Sequence, residues 1–169
     1  IMPTKPNLVF IFSDRQRRDT MSVYGNDWIK TPHLNELSDE SIVFSNTYVT
    51  QAVCAPARAS IMTGLYPHSA GMYRNKLVMP QDRKTIAEMV SADYRKAYFG
   101  KWHLGDEVVR QHGFEQWSSV MDRLTDEYTR PEYKQLDSDY HQFLLDNGQV
   151  PDLETIHGAI FSDAKRAAL

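Results

Sequence analysis

The feature that most constrains the fold is the longest unbroken apolar run of the chain, Leu8 to Phe12. Such a run is typical of a strand buried on both faces, as in parallel sheets that are covered by helices. It is far too short for a bilayer-spanning helix, which needs about 20 apolar residues. Ser13 and Asp14 follow it directly, and open α/β sheets bind ligands at the carboxyl ends of their strands. The run therefore predicts an α/β fold with Asp14 at the functional edge.

The rest of the chain shows alternating strand and helix signals. Thr31-Pro32 has the residue types of a helix start. The segment that contains Cys54 predicts a helix that begins near Pro56 and stops at Gly64, because glycine suits a left-handed C-terminal position. Further predicted elements are strands over Ile42–Tyr48 and Ala97–Phe99, and helices over Lys84–Ser91, Ser138–Leu145 and from Ile160 to Leu169.

Length and composition narrow the class of protein. The chain has 169 residues, which suits one domain, and its 41% hydrophobic content is that of an ordinary globular protein. A net charge of -3 argues against a general nucleic-acid binder, since phosphate neutralisation needs a basic excess. No charged segment followed by a long apolar stretch is present, so we expect no membrane partner and no signal peptide. With Cys54 as the single cysteine, no intrachain disulfide can form.

The pattern Cys54-x-Pro56-x-Arg58 is short, and its surroundings give it weight. From residue 53 to residue 68 the chain closely resembles the signature of the type I sulfatases, the formylglycine-dependent enzymes of the alkaline phosphatase-like superfamily. Segments 6–14, 31–34 and 100–105 resemble the same family in the same order. The resemblance implies that residues 1–169 are the N-terminal part of a sulfatase catalytic domain. The implied fold is a mostly parallel sheet flanked by helices, truncated here.

The resemblance also implies a chemistry. In sulfatases this cysteine is converted to formylglycine, whose hydrated aldehyde attacks the sulfur of a sulfate ester and forms a covalent sulfated intermediate. It implies that Arg58 holds the formylglycine hydroxyls, that Lys101 contacts the sulfate, and that His103 is the base that expels sulfate. The residue types suit this task, because a sulfate ester needs cations and helix-end N–H groups near the nucleophile. In an extended loop, Lys101 and His103 would point the same way from either side of Trp102.

A metal ion is implied as well. Asp14 resembles the family's first-strand ligand to a hard divalent ion, Ca2+ or alternatively Mg2+, which prefers oxygen ligands. Many relatives follow this aspartate with a second aspartate or a glutamine, whereas this chain has Arg15 there and Gln16 one place later. A cation cannot be a ligand, so either Gln16 reaches the ion, the site uses fewer ligands, or it is altered. The candidate metal set is Asp14, Gln16 and the formylglycine derived from Cys54.

Several alternatives stay open at this point. A lone cysteine is usually a small buried hydrophobe, and isolated loop residues such as Lys101 and His103 are usually ordinary. Sulfatases are longer, and a later segment supplies their other metal ligands and a histidine and a lysine near the leaving group. No match to that segment is found here, so we expect the isolated chain to be inactive. A phosphate or phosphonate monoester hydrolase of the same superfamily, and a non-catalytic fragment or degenerate homologue, are the rival interpretations.

The implied partners are a sulfated small molecule or carbohydrate and a formylglycine-generating maturation enzyme. By resemblance the compartment is periplasmic, extracellular or lysosomal. Specificity in such folds is set largely by variable loops, so the sequence does not identify the sulfated substrate.

Overall fold

A computed structural model describes residues 5–121 and 127–149 of the chain. The chain divides into two compact units, one up to Tyr48 and one from Val49 onward. The helix predicted from Ile160 to Leu169 lies outside the described residues. In the described ranges, no helix has both the length and the apolar character needed to cross a bilayer.

The first unit contains the helix α1, Pro32–Asp39, and two short 3-10 helices, Arg18–Thr20 and Ser22–Tyr24. Proline at the first position of α1 confirms the predicted start, since its missing N–H would be unpaired there anyway. Thr31 does not cap the helix with its side chain. Its hydroxyl instead lies 3.2 Å from the side-chain oxygen of Asn35 and 3.2 Å from that of Ser22, which ties the helix start to the preceding turn.

The prediction of two strands in this unit is wrong. Neither Leu8–Phe12 nor Ile42–Tyr48 is assigned as a strand in the part of the unit that the structure describes. Their large side chains are exposed rather than buried, with Ile11 at 86% and Ile42 at 84% of full exposure. A strand buried on both faces needs paired neighbours and covering helices, and residues 5–48 do not supply them.

The second unit carries the parallel pairing that defines the predicted class. Strands β1, Ala97–Gly100, and β2, Gln116–Ser119, pair in parallel, with Ala97 opposite Gln116 and Gly100 opposite Ser119. The described part of the unit also contains helices α2 (Cys54–Thr63), α3 (Pro67–Ala70), α4 (Ile86–Met89) and α5 (Asp139–Asp146), and a 3-10 helix, Pro131–Gln135. The α/β class is therefore confirmed, with a two-stranded sheet among the described residues.

The helix boundaries follow local signals closely. Helix α2 begins at Cys54, two residues before the predicted start, and ends where Gly64 adopts a left-handed φ of 71°. Helix α4 is shorter than predicted and begins with a capping box, in which Thr85 and Glu88 satisfy each other's backbone N–H groups. At the start of α5 the Ser138 hydroxyl accepts a hydrogen bond from the backbone N–H of His141, as expected for an N-cap.

One hydrophobic cluster joins α2 to the segment after β1. The fully buried indole of Trp102 packs edge-on against Tyr98 and Trp117, each with ring centroids 5.2 Å apart. Such edge-to-face aromatic pairs stabilise a core beyond the area they bury. The buried members of the cluster are Ala55, Ala59, Met62, Ala70, Met72, Met79, Trp102 and Leu104. Residues next to Cys54 and next to His103 thus belong to the same core.

Candidate functional site

Cys54 is the first residue of α2 and is partly exposed. The first N–H groups of a helix lack intrahelical partners and form the positive end of its dipole, so an anion is favoured there. The N–H of the next residue, Ala55, donates to the side-chain oxygen of Asn75 at 3.0 Å. This bond fixes the first turn of α2 against the segment that contains Asn75, which the sequence did not indicate.

Arg58 lies one turn after Cys54 and is only 5% exposed. Its guanidinium donates a hydrogen bond to the backbone carbonyl of Lys101, and the hydroxyl of Tyr98 donates to the same carbonyl. Burial raises the pKa of Tyr98 to about 12, so the hydroxyl stays protonated and remains a donor at neutral pH. The structure therefore joins the Cys54 helix to the Lys101 segment through Arg58.

The loop that follows β1 is not extended as predicted. His103 has a left-handed φ of 59°, so the simple alternation of Lys101 and His103 about Trp102 does not apply. Lys101 is half-buried and His103 is buried, while Trp102 fills the core. The prediction of an extended loop is wrong at His103, because the backbone turns there.

A carboxylate that sequence reasoning missed holds this turn. Glu107 is 1% exposed, and its two oxygens accept hydrogen bonds from the backbone N–H groups of Trp102 at 2.8 Å and His103 at 2.6 Å. Burial raises the pKa of Glu107 to about 7, although both N–H bonds and the charge of Arg58 favour the ionised form. No sequence pattern marks Glu107, since it follows Asp106 in an ordinary acidic pair.

A second buried carboxylate lies beside the imidazole. Glu127 Oε1 is 3.8 Å from His103 Nε2. The segment that carries Glu127 is fixed by Asp106, whose carboxylate accepts from the N–H of Thr129 at 2.7 Å and from its hydroxyl at 2.6 Å. A carboxylate next to a histidine can orient the ring and stabilise its charged form. Glu127 is the second site residue that the sequence did not reveal.

The candidate metal ligands are divided between the two units. Asp14 and Gln16 are exposed in the first unit, on either side of Arg15, which has a left-handed φ of 59°. Cys54 belongs to the second unit. In the described ranges, no three or more His, Cys, Asp or Glu side chains lie close enough together to bind a metal ion. The carboxylate and amide oxygens fit part of a hard-ion site, since Ca2+ takes about six to eight oxygens.

A concavity in the first unit does not coincide with these residues. It has a volume of about 440 Å3 and is lined by Arg17, Arg18, Asp19 and Tyr24. None of the predicted site residues lines it, and the guanidinium of Arg17 is already paired with Asp19 at 2.6 Å. Arg58 and Glu107, by contrast, are buried in the second unit, and their hydrogen bonds hold them in defined positions.

Comparison with known proteins identifies relatives that match about two thirds or more of this chain. Residues 6–152 match the family model described as Sulfatase. An ulvan-active sulfatase of Formosa agariphila is 39% identical over 126 residues, which cover 70% of this chain and 25% of that protein. An N-acetylglucosamine-6-O-sulfatase of Bacteroides thetaiotaomicron is 35% identical over 115 residues, which cover 68% of this chain and 20% of that protein.

A solved structure of a protein in complex with its substrate D-glucosamine-2-N,6-O-disulfate is also similar. It has a TM-score of 0.65 and 33% sequence identity, and the match covers 73% of this chain and 24% of that one. The chain therefore spans about a quarter or less of the length of these relatives.

Proposed function

This chain belongs to the sulfatase family, and we propose that it is the N-terminal part of the catalytic domain of a sulfuric ester hydrolase. The proposed reaction cleaves a sulfate monoester into an alcohol and inorganic sulfate. The observation that carries the proposal is the bond between Arg58, on the Cys54 helix, and the backbone carbonyl of Lys101. Through it the proposed nucleophile and the proposed sulfate-binding loop share one buried anchor.

We propose that Cys54 is converted to formylglycine, which supplies a hydrated aldehyde as the nucleophile toward sulfur. The partial exposure of Cys54 supports this, because a maturation enzyme and a substrate both need access to the side chain. Its place in the first turn of α2 also supports it, since the positive end of a helix favours the negative charge of a sulfate.

The neighbouring cations have distinct proposed roles. The buried guanidinium of Arg58 balances negative charge at the nucleophile. The ammonium of Lys101 binds the sulfate oxygens, where charge accumulates as the ester bond breaks. The imidazole of His103 takes a proton from the hydroxyl of the sulfated formylglycine hydrate as sulfate is expelled. Glu127, whose Oε1 lies 3.8 Å from Nε2 of His103, stabilises the resulting imidazolium.

We propose a divalent ion, Ca2+ or Mg2+, as the cofactor. The Asp14 carboxylate and the Gln16 amide oxygen of the first unit would hold it. When bound, the ion would supply positive charge that orients the nucleophile and screens the sulfate. Arg15, which lies between the two proposed ligands, cannot coordinate and is proposed to take no part.

We propose a sulfated carbohydrate as the substrate class. The relatives include an N-acetylglucosamine-6-O-sulfatase, and the similar solved structure contains a disulfated glucosamine. The family resemblance suggests an exported or lysosomal compartment, which stays a prediction.

We also propose that this chain is inactive alone and acts within a longer parent protein. The matched residues cover only 25% and 20% of the length of two relatives. The first unit also leaves Leu8–Phe12 and Ile42–Tyr48 exposed, although strand-like segments of this kind are normally buried in an α/β core. Turnover of an aryl sulfate by the purified 169-residue chain would contradict this proposal.

The experiment is to express the parent open reading frame together with a formylglycine-generating enzyme. Mass spectrometry of the Cys54 peptide is expected to show formylglycine, and the protein is expected to hydrolyse an aryl sulfate. Cys54→Ala, expressed in the same way, is the matched control and should be inactive. An unmodified thiol with no turnover would contradict the proposal, and a preference for an aryl phosphonate would favour the phosphoester alternative.

A further inference from the structure

We propose that Glu107 is a positioning residue of this site: its carboxylate fixes the backbone of Trp102 and His103, and so sets Lys101 and His103 relative to Arg58. The inference rests on the proposed function, because it assigns Glu107 to the residues proposed there for sulfate ester hydrolysis. None of the family motifs quoted above contains Glu107.

The first observation is geometric. The two carboxylate oxygens each accept one backbone N–H, from Trp102 at 2.8 Å and from His103 at 2.6 Å. The backbone carbonyl of Glu107 in turn accepts the indole N–H of Trp117 at 2.9 Å. Glu107 therefore connects the loop after β1 to strand β2, through its side-chain carboxylate on one side and its backbone carbonyl on the other.

The second observation is the strain of the backbone that Glu107 holds. His103 and Asp106 both have left-handed φ angles, 59° and 45°, which residues with a Cβ adopt rarely. Such conformations persist only where surrounding contacts determine them, and they concentrate at functional sites. The N–H of His103 is itself one of the groups bonded to Glu107, so the carboxylate acts on the strained residue directly.

The third observation is electrostatic. A carboxylate at 1% exposure is costly unless it is paired and hydrogen-bonded. The Arg58 guanidinium favours the ionised form of Glu107 and also donates to the Lys101 carbonyl. Arg58 thus holds the loop through the carbonyl of Lys101. Glu107 holds it through the N–H groups of the two residues that follow.

The test uses the parent protein with Glu107→Gln. This variant keeps the size of the side chain, but its NH2 group must face one of the two backbone N–H donors. We expect kcat for an aryl sulfate to fall about 10- to 100-fold, because small displacements of catalytic groups have effects of that size. KM should change less than about threefold, and formylglycine content at Cys54 should match the wild type.

Two further variants separate positioning from general stability. Glu107→Asp keeps the charge on a shorter side chain and is expected to recover part of kcat. Glu115→Gln removes a charge in the same unit from a half-exposed carboxylate 3.8 Å from Lys96, and should leave kcat unchanged. Amide hydrogen exchange at Trp102 and His103 should be faster in Glu107→Gln and unchanged in Glu115→Gln.

The outcomes distinguish this inference from the proposed function. If the wild type is active and Glu107→Gln matches it in kcat, or if exchange at both amides is unchanged, the positioning role is overturned and the proposed function stands. If the wild type hydrolyses no sulfate ester while exchange still rises in Glu107→Gln, the proposed function fails and the anchoring by Glu107 stands. If Glu107→Gln does not fold, Glu107→Asp decides, since normal kcat in that folded variant refutes the proposal.

Discussion

Gly105, in the loop after β1, has no room for a side chain, and Gly105→Ala tests the packing of the loop. Its φ of 95° lies in the region that residues with a Cβ adopt rarely. A Cβ placed there would lie 2.5 Å from Cγ1 of Val78 and 3.1 Å from both Cβ and Cγ2 of the same residue. Real Cβ atoms do not approach a neighbour at 2.5 Å, so either Val78 or the loop must move.

The expected loss of stability has two parts. The left-handed conformation of alanine costs about 1–2 kcal/mol. Forcing a methyl group into a packed position costs about 1–3 kcal/mol more. Gly105→Ala should therefore lower the free energy of unfolding by about 2–5 kcal/mol, well above the roughly 1 kcal/mol of a typical substitution.

Urea unfolding of the chain, followed by tryptophan fluorescence, measures this loss, since Trp102 is fully buried in the same loop. Gly64→Ala is the control in the same unit, because its φ of 71° is also left-handed but nothing lies within 4 Å of the added Cβ. Gly64→Ala should lower the free energy of unfolding only by the cost of the left-handed backbone, about 1–2 kcal/mol. The double variant Gly105→Ala with Val78→Ala should be less destabilised than the sum of the single variants, by about 1–3 kcal/mol.

If Gly105→Ala proves no more destabilising than Gly64→Ala, the predicted clash with Val78 is absent. The clash is also ruled out as the cause if the Val78→Ala change in the double variant restores no stability.

Three further predictions follow from the buried groups. Burial raises the pKa of Glu107 to about 7 in the folded chain, from an ordinary value of 4.5, so the folded state binds more protons than the unfolded state between these pH values. The free energy of unfolding should therefore fall by about 3 kcal/mol as pH rises from about 4.5 to about 7. Urea unfolding at several pH values measures this decrease, and most of it should be absent in Glu107→Gln. Arg58→Lys should keep the charge but lose the guanidinium N–H that donates to the Lys101 carbonyl, lowering kcat of the parent protein by at least about tenfold, with Cys54 still converted. Asn75→Ala should cost about 1–3 kcal/mol, because the N–H of Ala55 loses its acceptor, and urea unfolding measures it.

The elements with strong local signals could be predicted from the sequence. Helix α2 ends at Gly64 and helix α1 starts at Pro32 as expected, because φ preferences and missing N–H groups act within one turn. The candidates Cys54, Arg58, Lys101 and His103 were implied by the resemblance of a contiguous motif and a short loop to the sulfatase signature. Each of these predictions depends on residues that are neighbours along the chain.

Only the tertiary structure decided the rest. The apolar runs at Leu8 and Ile42 carry a strand pattern, but whether such a run becomes a buried strand depends on partners that lie elsewhere in the fold. Glu107 and Glu127 became site residues because the backbone turns at His103 and brings their carboxylates to it. A carboxylate that satisfies a distant N–H group or faces a distant imidazole has no local pattern, since its position is set by how the chain folds back on itself.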